Sequence, residues 1–524
     1  MSSIDLKNQY QKNEQQLNKP QKKRQKIIDK LTQLTDQYSQ QSQVISFLKQ
    51  NTNQNSSKSI DQISNNQIRK HQINRLVEEC QKMNENIKEI PPEYVFQMIK
   101  TYDMLFASQV KEVKLNEQNI QIIDIKLRVH DEFEDYLYSQ HQLIHNTFRR
   151  GLCFLKKDDQ LSILRKGLRK FFDINLKLFC NQVNSKQTNK KDEIIFNYTF
   201  SSLPKESQIK ITQMEKANGE NAQISYNKTL DCWIIGSKNV TLLCQNECEL
   251  QLYDPSTTND SQDQRYRFAI KIAKEWLKII DSSEKVEQIK NQLDGLTLIG
   301  EYCGNNEYQH LVQYDKAQLK FYALVPKISD DSSVNCLHPD LTLNILQSLD
   351  LNIVKQNHYI VNNYQEFQIK LIELTKSISI SKLSDIGEGN VLYFSNCQEQ
   401  CFSLAKLKSL EYRFKRKIRE KLKLIITRNL DPNSIIKQYV DEVTKLLNDL
   451  NQCLEEPIEI DLNINLAQKC FEATKIEEIQ KNTEFKNFCI QLIDNQFIQF
   501  LNEIDNLESK ENVFELAYQR NNKN

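Results

Sequence analysis

Eleven residues, Glu215 to Ser225 (EKANGENAQIS), join a lysine to an Asn-Gly step two places on and then to a stretch of strand character. A protonated lysine is no nucleophile. Lys216 can attack phosphorus only if burial or cationic neighbours release its proton. Gly219, with no Cβ, would let the backbone approach a nucleotide where a side chain would collide. Further along the chain come Glu301 and Glu388, carboxylates of the hard-oxygen type that a divalent cation takes. Lys406 and Lys408 follow; their i, i+2 spacing on a strand turns both ammonium groups to one face. With Lys238, which follows Ser237 in a tight turn, they could neutralise a triphosphate and depress the pKa of Lys216. Tyr302 or Phe321 could pack against a base.

Elements of known type must carry these groups. After Lys216 the residues read as consecutive strands: Gln223 to Asn227, Asp231 to Gly236 and Val240 to Cys244, with two more in Leu296 to Lys327. Between them Arg265 to Ile280 has a helical face built on Phe268, Ile272, Trp276 and Ile279. Upstream, FRRGLCFLKKDDQLSILRKGLRKFFDIN alternates apolar and polar residues from Phe148 on, and within it Arg150-Gly151 and Lys170-Phe171-Phe172 stand out. A cation leading an aromatic pair can meet a phosphate while the rings anchor the strand, although core plus surface charge explains the same pattern.

With 524 residues the chain exceeds one ordinary core. A net charge of +1 excludes a globally basic coat, so any nucleic-acid contact must be a local groove. No apolar run reaches membrane-spanning length and no signal-peptide core opens the chain, which points to a cytoplasmic or nuclear protein that is not secreted and meets no membrane. The 13 cysteines contain no CxxC and read as reduced thiols. Two CxxxC pairs, Cys244 with Cys248 and Cys397 with Cys401, could bind zinc, but buried free thiols are the simpler reading. His310, on an alternating segment, reads as a hydrogen-bonded core histidine rather than a base.

Seven of these pieces follow one another in a fixed order: Arg150-Gly151, Lys170-Phe171-Phe172, Lys216 to Gly219, Ser237-Lys238, Glu301-Tyr302, Glu388-Gly389 within EGNVLYF, and Lys406-Leu407-Lys408-Ser409. That order resembles the adenylating domain of ATP-dependent RNA ligases, in particular the phage RNA ligase 1 and fungal tRNA ligase branch, over about Phe148 to Leu422. Tyr412, Arg416 and Arg419 resemble the Tyr-x3-Arg helix that follows the last motif in tRNA ligases. Asn218 stands where most nucleotidyltransferases carry aspartate, as it does in the tRNA ligase branch.

The resemblance implies an α+β chain: a nucleotidyltransferase (ATP-grasp-like ligase) domain with central antiparallel sheets, flanked by helical regions. Lys216 would form lysyl-AMP; AMP would pass to an RNA 5′-phosphate, and a 3′-hydroxyl would displace it, in RNA repair or tRNA splicing. The cofactors implied are ATP and Mg²⁺, with Mn²⁺ as the alternative metal, held by Glu301 and Glu388. Glu215, Asn218, Gly219, Lys238, Tyr302, Phe321, Lys406 and Lys408 fall at nucleotide-binding positions. Arg150 and Lys170 become candidates for a phosphate contact, to which an arginine fork is suited. The partner implied is RNA with 5′-phosphate and 3′-hydroxyl ends. Separate end-healing enzymes are implied too, because neither a GxxxxGK[ST] loop nor paired H-x-T/S-x motifs occur. A capping enzyme, a DNA ligase, or a ligase-like scaffold without chemistry are the alternatives; the K-x-K-S close and the Lys-Phe-Phe step favour RNA ligase.

Four regions are therefore expected. Residues 1–70 form a polar tail with a basic cluster at Lys19 to Lys26, a short coiled-coil-like periodicity at Ile27 to Leu34 and a flexible linker over Gln50 to Asn66. Residues 71–145 form a helical accessory region in which Ile120 to Tyr138 could be helix or strand. Residues 146–425 form the adenylyltransferase domain, and residues 426–524 a helical domain on the apolar faces of Ile435 to Leu450 and Phe485 to Leu507.

Overall fold

In the computed structural model the described residues run from 57 to 521, interrupted mainly at 84–88, 175–189, 255–264, 305–310, 328–335 and 506–512. The basic cluster, the coiled-coil-like segment, His310 and Cys397 lie outside them. Two compact units, 1–164 and 165–524, divide the chain. Among the described residues no helix is long and apolar enough to cross a membrane.

The first unit corrects two expectations. The helix Ser57–Gln81 runs through the second half of the expected linker. Extending a helix costs far less than starting one, so a segment anchored by buried Ile73 and Leu76 carries weak helix formers with it. The region 71–145 is also not purely helical. After the helix Pro92–Thr101, opened by Pro92 in its first turn, strands β1 (Phe106–Leu115) and β2 (Gln118–Leu127) form an antiparallel hairpin. Its isoleucines at 120, 122, 123 and 125 are β-branched and buried, which suits a pleated surface. Strands β3 (Cys153–Lys157) and β4 (Gln160–Arg165) complete a four-stranded sheet in the order β1-β2-β3-β4. This pairing draws Phe148 to Leu164 into the first unit, so the boundary falls at 164/165 rather than 145/146.

The second unit holds two five-stranded sheets. One has the order β11-β10-β7-β8-β9, from β7 (Glu220–Asn227), β8 (Cys232–Gly236), β9 (Thr241–Cys244), β10 (Leu296–Cys303) and β11 (Gln318–Pro326). The other has the order β12-β6-β13-β14-β5, from β5 (Phe172–Asp173), β6 (Ile209–Glu215), β12 (Gln356–Val361), β13 (Gly389–Ser395) and β14 (Cys401–Lys408). All their pairings are antiparallel except β14 with β5. The α+β expectation with central antiparallel sheets is met.

Alternation along β13 shows how the layers are built. Val391 and Tyr393 join a core with Met214, Ala217 and Ile299 between the sheets. Leu392 and Phe394 face the other way, under the helix Tyr364–Ile380 through Phe367 and Leu371. On the back of the first sheet the helix Arg267–Asp281 sets Trp276 edge-on to Trp233 and Phe321, at 5.3 and 5.9 Å. Beyond Ser409 the strands stop, and helices from Leu410–Arg428 onward share an apolar core that includes Ile418, Tyr439, Phe471 and Phe500.

Candidate active site

Four residues, Lys216 to Gly219, carry the chain from the end of β6 in one sheet to the start of β7 in the other. The crossing is tight. A Cβ on Gly219 would lie 2.3 Å from the carbonyl oxygen of Tyr302. The close approach that requires glycine here is to the neighbouring strand β10. The Lys216 N–H donates to the Gly389 carbonyl at 2.9 Å, tying the lysine to the residue after Glu388.

A cleft opens between the sheets, lined by Lys216 and Glu215 and by Phe171, Glu301, Tyr322 and Tyr393 among others. Glu388 Oε2 stands 2.8 Å from Lys216 Nζ and Oε1 stands 2.9 Å from Lys408 Nζ. Asn218 fixes this carboxylate by donating from Nδ2 to Oε2 at 2.9 Å. The other end of Asn218 accepts from the Leu311 and Val312 N–H groups, and its own N–H donates to the Tyr314 hydroxyl. An amide is needed here because one end must accept and the other donate, a division aspartate cannot make. Glu215 forms an ion pair with Lys320 at 2.8 Å.

The electrostatics correct one expectation. Burial pushes the pKa of Lys216 down, but Glu388 and then Glu301 outweigh it and hold the ammonium above its ordinary value. The expected depression by cations falls instead on Lys406, which burial, Lys408, Lys216 and Lys170 together lower against the pull of Asp173. Glu388 is buried, which alone would raise it, yet Lys216 and Lys408 hold it down to about 2. Glu301 is the reverse case: burial, reinforced by Glu388, pushes it up to about 8 despite the attraction of Lys216. The Tyr322 hydroxyl donates to Glu301 Oε1 at 3.2 Å.

A folded-state pKa raised from 4.5 to about 8 means that the native state binds the proton more tightly than the unfolded chain. Stability from Glu301 is therefore present below pH 4.5 and lost as pH rises through 8. We predict that Glu301→Gln is more stable than wild type at pH 9 by about 1–2 kcal/mol, after discounting for solvent at the cleft. Denaturant melts at pH 5 and pH 9 should show the difference vanishing at the lower value.

The base-packing expectation for Phe321 and Tyr302 fails. Phe321 is fully buried against Trp276 on the back of its sheet. Tyr302 follows Glu301 in an extended strand and so points to the opposite face. Tyr322 takes the place in the cavity, and Phe171 adds a second ring. Lys170 is felt as a charge at Lys406. Lys238 occupies the β8–β9 turn, at the sheet end where β7 begins, but does not line the cavity. Arg150 belongs to the first unit, where Nε and Nη2 fork onto Glu134 at 2.8 and 2.7 Å. Of the CxxxC cysteines, Cys244 and Cys401 are buried and Cys248 is exposed, and these three are free thiols.

The cleft presents polar groups that a bound nucleotide and divalent cation would satisfy. The Tyr393 hydroxyl, 1% exposed and lining the cavity, has no hydrogen-bond partner among the described residues. Glu301 is a half-buried carboxylate that a cation would stabilise in its charged form. Among the described residues no three His, Cys, Asp or Glu side chains cluster, so a cation at Glu301 would take its other ligands from phosphate and water, as Mg²⁺ does. Glu388 already bears two ammonium groups and an amide, which makes it the counter-ion of the lysines in this state rather than the open metal ligand expected.

A family described as a domain of unknown function (DUF7920) matches residues 181–419. No curated protein matches the chain. Among solved structures the chain is similar to form 2 of an archaeal ATP-dependent RNA ligase, at 10% identity and a TM-score of 0.37 over 78% of each chain. It is similar to form 1 of an archaeal ATP-dependent RNA ligase, at 11% identity and 0.35 over 75% of each. A Naegleria gruberi RNA ligase mutant with ATP and Mn is similar at 11% identity and 0.29, over 60% of this chain and 82% of that one.

Proposed function

We propose that this chain is an ATP-dependent RNA ligase that first adenylylates its own Lys216. The observation that carries the reading is the convergence, around one lysine at the junction of two sheets, of Glu301 and Glu388 with Lys408, groups drawn from three distant parts of the chain. The ordered motifs of the sequence support the same assignment.

In the first step Lys216 gives up a proton to solvent, the lone pair of its Nζ forms a bond to the α-phosphorus of ATP, the bond from that phosphorus to pyrophosphate breaks, and the second amine proton lost on bonding also passes to solvent. Lys406 and Lys408 offset the charge of the phosphates and of departing pyrophosphate. Glu301 would hold a Mg²⁺ ion, which would supply Lewis-acid stabilisation of the phosphoryl oxygens. Glu388 keeps Lys216 aimed and charged until the site fills. Asn218 keeps Glu388 in place. Phe171 and Tyr322 are the rings available to the adenine. AMP then passes to an RNA 5′-phosphate, and a 3′-hydroxyl displaces it to make the phosphodiester.

Incubation with α-labelled ATP and Mg²⁺ is expected to leave alkali-stable, acid-labile label on the protein, as a phosphoramidate requires, chased by RNA carrying a 5′-phosphate into an adenylated strand and then a joined product. Label from GTP would replace this reading with a capping enzyme, joining of DNA alone with a DNA ligase, and no label from either nucleotide with a binding protein.

A further inference from the structure

Asp173 and Arg413 lie outside every role assigned above, yet they meet at the edge of the lysine cluster. Asp173 belongs to β5, only two residues long, which pairs in parallel with β14 so that Asp173 lies beside Lys406. The Ile174 N–H donates to the Lys406 carbonyl at 3.1 Å and fixes this register. Ser409 caps the next helix by accepting from the Tyr412 N–H, and Arg413 stands in its first turn. Asp173 Oδ2 is 3.4 Å from Lys406 Nζ, and Oδ1 is 3.5 Å from Arg413 Nη2.

These contacts are looser than those of Glu388, which draws its two lysines to 2.8 and 2.9 Å. Asp173 spreads one carboxylate between two cations held by different elements and satisfies neither closely. Its side chain is 47% exposed, while Lys406 and Arg413 are only 20% and 27% exposed. The cations are thus fixed by the fold, and the anion on them is the replaceable partner. Burial raises the Asp173 carboxyl, but Lys406, Arg413 and Lys408 outweigh that and keep it ionised. A diphosphate brings more charge and more acceptor oxygens than a carboxylate, and an arginine fork binds it well.

We propose that Asp173 is a built-in competitor for inorganic pyrophosphate: it occupies Lys406 and Arg413 when the site is empty, and Arg413 binds the phosphate that displaces it. The assignment rests on the adenylylation reading and deepens it. A competitor of this kind weakens the hold on pyrophosphate, the product that must leave before RNA can react.

The test is calorimetric titration of the full chain with inorganic pyrophosphate, with no nucleotide present. Asp173→Asn keeps the shape and removes the charge, and it should tighten pyrophosphate binding about three- to fivefold, as expected for one partly exposed charge. Arg413→Gln should weaken binding about tenfold, whatever the first variant does. Thermal melts accompany both; if Asp173→Asn melts early, Asp173→Ser is titrated in its place. Unchanged or weaker binding in the folded Asp173 variant overturns the competitor role, and unchanged binding in Arg413→Gln overturns the arginine's. Failure of wild type to take label from ATP would strike the adenylylation reading alone, since pyrophosphate binding is read without it.

Discussion

Lys216→Ala is expected to abolish covalent labelling by ATP, a fall on the order of 10⁴ or more, to background, because the covalent bond is made to that amine itself. Lys216→Arg should lose the label equally. Its guanidinium retains the positive charge beside Glu388 and so keeps the fold, but it offers no free lone pair at neutral pH. The comparison separates loss of the nucleophile from loss of the ion pair. Wild type should also label faster as pH rises from 7 to 9.5, since Glu388 and Glu301 hold Lys216 above its ordinary pKa and only the neutral amine reacts. Ionisation of Glu301 near pH 8 acts in the same direction if it holds the metal. Gel autoradiography of initial rates across that range measures both effects; label surviving in Lys216→Ala would move the nucleophile elsewhere.

Removing Glu388 should be nearly as severe, for a different reason. Its carboxylate is 4% exposed and lies between Lys216 and Lys408, so Glu388→Ala leaves two partly buried ammonium groups without their shared counter-ion. Breaking a buried pair from one side costs about 3–5 kcal/mol. We expect a clear drop in the denaturant midpoint and about 100-fold slower labelling, the loss typical of one well-placed electrostatic partner. Glu388→Gln keeps the shape and loses the charge. The pKa of Lys216 should fall, and the rising limb of the labelling profile should move to lower pH. A Glu388→Gln enzyme with the wild-type profile would show that this carboxylate does not govern the lysine. Because the folded-state pKa of Glu388 is depressed from 4.5 to about 2, its contribution to stability is present above pH 4.5 and disappears as pH falls toward 2.

Much of the site could be read along the chain because its groups come in short, self-contained patterns. Lys216 to Gly219 is one turn between strands; Lys406 and Lys408 share a face by the period of any strand. The expected carboxylates both act on Lys216, Glu388 by contact and Glu301 through its charge, and Asn218 lies where its amide bridges Glu388 to a distant segment. The assignment of Phe321 failed for a physical reason. The run Phe321, Tyr322, Ala323, Leu324 is apolar throughout, since β11 is covered on both faces, and a strand without alternation does not declare which side meets the cavity. A register shift on β10 between Ile299 and Gly300 opposes Phe321 and Ala323 and leaves Tyr322 between them.

Residue types and their spacing determined that this chain has a lysine at a turn between strands, two carboxylates, a cationic close and enough alternating strands to hold them, because each of those properties lives within a few consecutive residues. Only the tertiary structure decided which charge lies nearest to which: that Lys216 answers to Glu388 and Glu301 rather than to Lys406, that Asp173 reaches Arg413, and that Arg150 is forked onto Glu134. Electrostatic interaction falls with distance in space and with local burial, and neither quantity is written in the separation of residues along a chain that passes repeatedly between two sheets.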